Sequence, residues 1–281
     1  MLVEDIMPEL PEVETIKNGI AKSIGYCRIR KIVVRQNKLR IPVPADIAQK
    51  ANETIIIGYS RRAKYIVIEL NNGLSLIWHM GMSGKILICD QLPNPLNKHD
   101  HIIIETDNGY LVYNDPRRFG LFTYAQTEGL NNLPFFADLG IEPFAKELTA
   151  EYLHNRLQKK RIPIKAALLD QSIVVGIGNI YASEVLFATA ISPLRPADKI
   201  SLEESAALIT ATRNILTNAI KAGGSTLRDY EKPDGSLGYF QNQHQVYGKE
   251  GQKCPNCTCN KGICKIVIAG RSTFYCPQKQ K

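Results

Sequence analysis

Met7 is followed by Pro8-Glu9-Leu10-Pro11-Glu12-Val13-Glu14-Thr15, a proline with two carboxylates inside the next four residues. In a chain that starts at Pro8, the proline nitrogen is a secondary amine. An α-amine has a reference pKa of about 7.7–8.0, so a usable fraction is neutral and nucleophilic near pH 7, unlike an ordinary exposed lysine. Such an amine can attack an electrophilic carbon and form a Schiff base. Glu9 is placed to move a proton beside it, and Glu12 to brace the N-terminus. With Met1 to Met7 attached, the nitrogen is an amide and attacks nothing. Initiation at Met7 followed by loss of that methionine, which a following proline permits, is the expected route to the free amine.

Other segments also carry chemistry. His79-Met80-Gly81-Met82-Ser83-Gly84 and Asn114-Asp115-Pro116-Arg117-Arg118-Phe119-Gly120 are glycine-punctuated loops whose Met82, Arg117 and Phe119 are awkward as core residues. Apolar wedges of this kind insert between base steps of a duplex, and arginine can hydrogen-bond a base left unpaired. Lys64, in Arg61-Arg62-Ala63-Lys64-Tyr65, reads on its own as a solvated charge. Gly176-Ile177-Gly178-Asn179 precedes a helix, where amides and the helix dipole favour a phosphate. Five of the seven cysteines cluster near one end (Cys254, Cys257, Cys259, Cys264 and Cys276), leaving Cys27 and Cys89 apart. An odd number grouped this way argues for a metal and a reducing cytosol rather than a secreted disulfide framework.

The elements that must position these residues read as α+β. Pro11 suits a first helical turn, and Val13, Ile16, Ile20 and Ile24 give that helix a buried face. From about residue 28 to 125 the pattern is strands: 64–70, 74–79, 85–89, 101–106 and 110–113. Asn71-Asn72-Gly73 and Asp107-Asn108-Gly109 mark tight hairpins between them, which together predict an antiparallel β-sandwich with flanking helices. After Pro134 the pattern turns helical. Ser201 with Glu204 makes a capping box, and Gly223-Gly224 stops the helix about twenty residues later. The expected division is 8–136, a β-sandwich; 137–243, a helical domain; and 244–281, a small β-hairpin held by a metal.

Of the 281 residues, 44% are hydrophobic and 22% charged, ordinary for a soluble globular protein, with no transmembrane run or secretory signal. The net charge of +8 is uneven: residues 244–281 hold seven Lys/Arg against the single acid Glu250. That tail is an electrostatic footprint for a polyanion.

From Pro8 to the end, the chain resembles the bacterial formamidopyrimidine-DNA glycosylases (Fpg, also MutM) of the Fpg/Nei family. The resemblance is carried by the Pro8–Thr15 run, the Lys64 segment, the two Met82 and Arg117–Phe119 loops, and Gly176-Ile-Gly-Asn-Ile-Tyr-Ala-Ser-Glu184. It implies a helix–two-turns–helix motif in the helical domain and a zinc-finger-like β-hairpin tail. It further implies that Pro8 is the nucleophile, with Glu9 the general acid/base and Lys64 contacting DNA near the lesion. Met82, Arg117 and Phe119 would fill the gap left by an extruded nucleotide, Arg117 reading the orphaned partner base. Asn179 would contact a backbone phosphate with Lys165 adding charge nearby, and Arg271 would grip phosphates flanking the lesion. The Gly223–Tyr230 stretch, followed by Gly238-Tyr239-Phe240, resembles the family's loop over the everted base.

The tail departs from the family pattern. Cys254-x-x-Cys257 and Cys276 are present, but Lys279 stands where a fourth cysteine is expected, and the eighteen-residue gap between Cys257 and Cys276 is wider than usual. Zinc takes four ligands, and lysine is not an ordinary one. Either Cys259 or Cys264 is the expected replacement for one structural zinc; a three-cysteine site completed by water, or a metal-free finger, are the alternatives.

The resulting expectation is a monomeric, cytoplasmic bifunctional DNA glycosylase/AP lyase of base excision repair. It would excise 8-oxoguanine and formamidopyrimidines from duplex DNA by Schiff-base chemistry with β,δ-elimination. Retention of residues 1–7 would instead leave a non-catalytic damaged-DNA binding protein, and the Nei branch would act on oxidised pyrimidines.

Overall fold

The computed structural model describes residues 7–225, 240–258 and 260–281. It divides into two compact units, Met1–Ala137 with Ala222–Gln241, and Asp138–Lys221 with Asn242–Lys281.

The first unit begins with α1 (Leu10–Ser23), with Pro11 in its first turn. The apolar spacing seen in the sequence becomes a buried stripe of Val13, Ile16 and Ile20, continued by Ile24. Eight strands follow: β1 (Ile29–Val34), β2 (Ile56–Arg62), β3 (Tyr65–Leu70), β4 (Leu74–His79), β5 (Lys85–Cys89), β6 (Asp100–Thr106), β7 (Gly109–Asn114) and β8 (Leu121–Gln126), with α2 (Ile47–Ala51) between the first two. They form two four-stranded sheets, β1-β6-β7-β5 and β2-β3-β4-β8, antiparallel throughout. Asn71-Asn72-Gly73 joins β3 to β4 and Asp107-Asn108 joins β6 to β7, as the turn residues predict.

One hydrophobic core draws on α1 and both sheets, including Ile20, Ile66, Ile68, Trp78, Ile102, Ile104, Tyr113 and Phe122. This is the β-sandwich expected from the sequence. Register explains the alternation: Ile66 pairs with Trp78 and Ile68 with Leu76, while Ile102 pairs with Tyr113 and Ile104 with Leu111, so each pair turns inward together. Lys64 lies outside the strand assigned to it. It sits with Ala63 in the tight turn between β2 and β3, where Ala63 takes φ 52°. A two-residue hairpin turn needs such left-handed backbone, so the strand cannot start before Tyr65.

The second unit contains α4 (Ala150–Leu157), α5 (Ile164–Leu168), α6 (Asn179–Ala188) and α7 (Leu202–Lys221); the short α3 (Pro134–Ala137) precedes it at the end of the first unit. Helix α7 opens on the predicted capping box, with Ser201 N–H donating to Glu204 Oε2 at 2.8 Å and Glu204 N–H to Ser201 Oγ at 3.1 Å. Arg195 holds the same glutamate through both of its oxygens. Helix α6, mostly apolar on all sides, buries every residue from Ile180 to Phe187, Ser183 and Glu184 included. The chain ends in the hairpin β9 (Cys264–Ile268) and β10 (Arg271–Tyr275). Its turn, Ala269-Gly270, has both φ values positive, as a two-residue hairpin loop requires.

Because Ile20 is wholly buried at the centre of the α1 stripe, Ile20→Ala is expected to destabilise the protein by about 2–5 kcal/mol. Urea unfolding should show a lower midpoint with an unchanged m-value.

Candidate active site and nucleic-acid interface

Pro8 is buried directly ahead of α1. Glu9 is the residue before the helix, and it forms a reciprocal capping box with Glu12. Glu9 N–H donates to Glu12 Oε2 at 3.0 Å, while Glu12 Oε1 accepts Ser225 N–H at 2.9 Å. Both carboxylates are buried, in the first turn of a helix whose dipole favours negative charge. Glu12 therefore fixes the backbone beside Pro8 and ties it to Gly224-Ser225. The remainder of the glycine-containing loop, with Arg228, Tyr230, Gly238 and Tyr239, lies outside the described residues.

Lys64 stands in its turn near His79, the last residue of β4. Burial is the main reason that the His79 pKa falls to about 3, and the positive charges of Lys64 and Arg40 lower it further. The imidazole is thus neutral. Its Nδ1 accepts the Gly81 N–H at 3.0 Å, which places the ring proton on Nε2. His79 opens the loop that carries Met82, and only its position at the head of that motif marked it in the sequence.

The two glycine-punctuated loops meet in the first unit. Met82 is half-buried, whereas Arg117 and Phe119 are exposed, Phe119 at 46%. The Arg117 guanidinium lies 4.7 Å from the centre of the Phe119 ring, a cation–π contact. The residues flanking Met82 both engage the other loop. Ser83 Oγ donates to Asp115 Oδ1 at 2.6 Å and accepts Arg117 N–H at 3.2 Å. Gly81 runs so close to the backbone of Phe119 and Gly120 that a Cβ would collide with it. Asp115, which sequence reasoning passed over, is wholly buried at this junction. Its Oδ2 accepts Tyr113 O–H at 3.0 Å and Gly120 N–H at 2.9 Å.

In the second unit, Asn179 is the first residue of α6, after Gly178. Its Oδ1 accepts from Lys165 Nζ at 2.7 Å, and its Nδ2 donates to Ser272 O at 2.9 Å and Tyr247 O–H at 3.3 Å. Lys165, expected to add charge near Asn179, reaches it from the interior. It is 0% exposed, and its ammonium also donates to Ser272 O at 3.0 Å and Thr273 Oγ1 at 2.9 Å. A buried ammonium must be enclosed by acceptors, and here these come from α6 and β10. Lys165 is a brace for Asn179 and the hairpin. Arg271 is exposed where β10 begins. Glu184, on α6, accepts the N–H groups of Gln245, Val246 and Tyr247 at 2.8–3.0 Å; burial raises its pKa in spite of them.

Cys254, Cys257 and Cys276 form a group whose sulfurs all lie within 4.8 Å of one another, with Cys257 and Cys276 at 3.4 Å. Burial would raise the Cys276 pKa, but donation from Lys279 N–H and Cys257, among other partners, outweighs it and lowers the pKa to about 7. Lys279 is no ligand. Its ammonium sits 3.8 Å from the centre of the Phe187 ring. Cys264 stands outside the group among the described residues. It pairs with Tyr275 across the hairpin, so it shares that residue's side of the pleat. Cys259 lies outside the described residues. Among the described residues, no helix is long and apolar enough to cross a membrane.

Replacing Lys165 with Met would leave buried acceptors on α6 and β10 without a donor. The substitution is expected to cost about 2–4 kcal/mol and to speed amide hydrogen exchange in β9 and β10 more than in the β-sandwich.

The family model described as the formamidopyrimidine-DNA glycosylase N-terminal domain matches residues 7–122, and the model of the family's H2TH domain matches residues 139–231. The chain is 44% identical to formamidopyrimidine-DNA glycosylases of Rhodospirillum rubrum and Pasteurella multocida, covering 98% of this chain and 100% of each relative. Among solved structures it resembles a mutant of Lactococcus lactis Fpg in complex with DNA containing Fapy-dG, at 36% identity and a TM-score of 0.89 over 98% of this chain and 100% of that one. It also resembles Thermus thermophilus MutM, at 35% identity and a TM-score of 0.86 over 97% and 98% of the two chains. With two family models spanning most of its length and full-length relatives at this identity, the chain belongs to the formamidopyrimidine-DNA glycosylase family.

Proposed function

We propose that this protein is a bifunctional DNA glycosylase/AP lyase that removes oxidised purines, chiefly 8-oxoguanine and formamidopyrimidines, from duplex DNA in bacterial base excision repair. The observation that carries the reading is the start of α1. Pro8 is buried next to Glu9, and the backbone at Glu9 is held by Glu12, at the point where the family match begins.

Pro8 nitrogen attacks the deoxyribose C1′ of the damaged nucleotide and the C1′–N bond to the base breaks, the base leaving with the amine's proton. The C1′–O4′ bond then opens, O4′ taking a proton from Glu9, which leaves an iminium between Pro8 and C1′. The iminium so formed acidifies the C2′ proton. Its loss expels the 3′ phosphate by β-elimination, and a second elimination expels the 5′ phosphate. Glu9, adjacent to the amine, moves protons at the sugar ring. Glu12 accepts the N–H groups of Glu9 and Ser225, so it positions rather than reacts. The amine exists only when Pro8 is terminal, which initiation at Met7 and loss of that methionine provides.

Lys64 contacts the backbone near the lesion. Met82, Arg117 and Phe119 fill the duplex where the nucleotide has left, offsetting part of the unstacking cost of a few kcal/mol. The exposure of Arg117 and Phe119 and their mutual contact support this assignment. In the second unit the start of α6 at Asn179 and the exposed Arg271 hold phosphates, with Lys165 setting the geometry of both. The tail carries one structural zinc on Cys254, Cys257 and Cys276. Thiolates on tetrahedral zinc lie about 3.8 Å apart, which the grouping of the three sulfurs suits. With Lys279 engaged elsewhere and Cys264 outside the group, Cys259 is the proposed fourth ligand.

Borohydride trapping on a duplex containing 8-oxoguanine opposite cytosine tests the nucleophile. Protein expressed from Met7 should give a covalent adduct that peptide mass spectrometry places on Pro8, and a form retaining residues 1–7 should give none. Failure of both to trap while still binding DNA would leave a damage-binding protein. For the metal, elemental analysis should find one zinc per chain. Cys259→Ser should lower that occupancy and Cys264→Ser should not; the reverse result would exchange their roles.

A further inference from the structure

The residues assigned to the gap in the duplex lie on two separate loops, 79–84 and 114–120. They can enter one base step together only if those loops keep a fixed relative placement. We propose that Asp115 is the positioning residue that sets this placement, holding Met82 in register with Arg117 and Phe119 without itself touching DNA. The inference rests on the reading of Met82, Arg117 and Phe119 given above.

Asp115 is wholly buried, and its carboxylate gathers donors from three places. Ser83, beside Met82, donates to Oδ1. Tyr113, at the end of β7, and Gly120, just past Phe119, donate to Oδ2. The Ser83 hydroxyl has one proton, and giving it to Asp115 leaves its lone pairs to accept Arg117 N–H. The carboxylate thus orients the hydroxyl that holds the Arg117 backbone. The Asp115 main chain is fixed as well, its carbonyl 2.9 Å from His101 Nε2 and accepting Arg118 N–H at 3.2 Å. Burial and the neighbouring Asp115 charge keep the Tyr113 hydroxyl protonated, its pKa well above the usual value, so Tyr113 remains a donor.

Sterics allow little else. A Cβ on Gly120 would overlap the Tyr113 hydroxyl, and one on Gly84 would meet both that hydroxyl and the Met80 carbonyl. Arg118, between the two exposed side chains, takes φ 58°, a left-handed conformation that a non-glycine residue holds only when its surroundings impose it. The bonds from Arg118 N–H to the Asp115 carbonyl and from Gly120 N–H to its carboxylate supply that constraint.

The test is equilibrium binding of the full chain to a duplex with a tetrahydrofuran abasic analogue opposite 2-aminopurine, whose fluorescence reports unstacking of the orphaned base. No covalent step is involved, so the result does not depend on Pro8. Asp115→Asn, which puts an amide donor among donors, is expected to weaken binding to this duplex about tenfold, to reduce the fluorescence change, and to leave binding to undamaged duplex within about twofold. Ser83→Ala, which removes no buried charge, should act in the same direction. The deciding comparison adds Asp115→Asn to a Met82→Ala, Arg117→Ala, Phe119→Ala background. No further loss there supports positioning through those side chains. A full further loss, or equal weakening on undamaged duplex, would overturn it in favour of a general structural role. If the triple substitution itself changes neither affinity nor fluorescence, the assignment of the gap-filling residues falls, and this inference with it.

Discussion

A charge taken out of water has to be met by several partners, and four buried charged side chains set where the functional segments of this protein lie. Glu12, Asp115, Lys165 and Glu184 are each almost fully enclosed. Each gathers hydrogen bonds from stretches that are distant in sequence or would otherwise be free to move. Glu12 links the start of α1 to Ser225. Asp115 joins two loops of the sandwich. Lys165 joins α5, α6 and β10. Glu184 catches three consecutive amides ahead of the cysteine tail. Leaving any of these charges partly unsatisfied is costly, so the loops around them are held more firmly than their polar sequences suggest.

The two units use different means to present function. In the sandwich, the rigid part is the apolar core between the sheets, and the exposed side chains ride on loops at strand ends. Loops placed by a rigid scaffold are a common site of binding residues, and here glycines that leave no room for a Cβ press the loops together. In the helical unit the rigid part is α6, buried along its length. Its first residue, Asn179, shares partners with a hairpin nearly a hundred residues further along. The hairpin alone is too small to bury a core, so it depends on α6, on the cysteine group and on Lys279 packing against Phe187.

Much of this architecture is legible in the order of the residues. The strands between residues 64 and 113 follow alternation and turn chemistry, both local properties, and the α1 stripe and the Ser201–Glu204 box follow helical spacing and capping. Local rules falter where the chain turns tightly. Lys64 lies in a hairpin turn with Ala63, which takes left-handed backbone there. The cysteines can be counted from the sequence, but not which of them converge, because that depends on tertiary placement: Cys264 pairs with Tyr275 across the hairpin and stands outside the group among the described residues.

The sequence by itself determined the residue types available for chemistry: a proline behind a methionine, carboxylates within one turn, a Met, an Arg and a Phe on glycine-punctuated loops, and a basic tail. Spacing of this kind is preserved in any fold that keeps the helix and the hairpins. Only the tertiary structure decided that Lys165 is buried among acceptors from α6 and β10, and that Asp115 rather than its exposed neighbours bonds to both loops. Among the partners that make those roles, Asn179, Ser83 and Thr273 lie 14, 32 and 108 residues away. Burial, unlike periodicity, is a property of the assembled core, and no local stretch of sequence contains it.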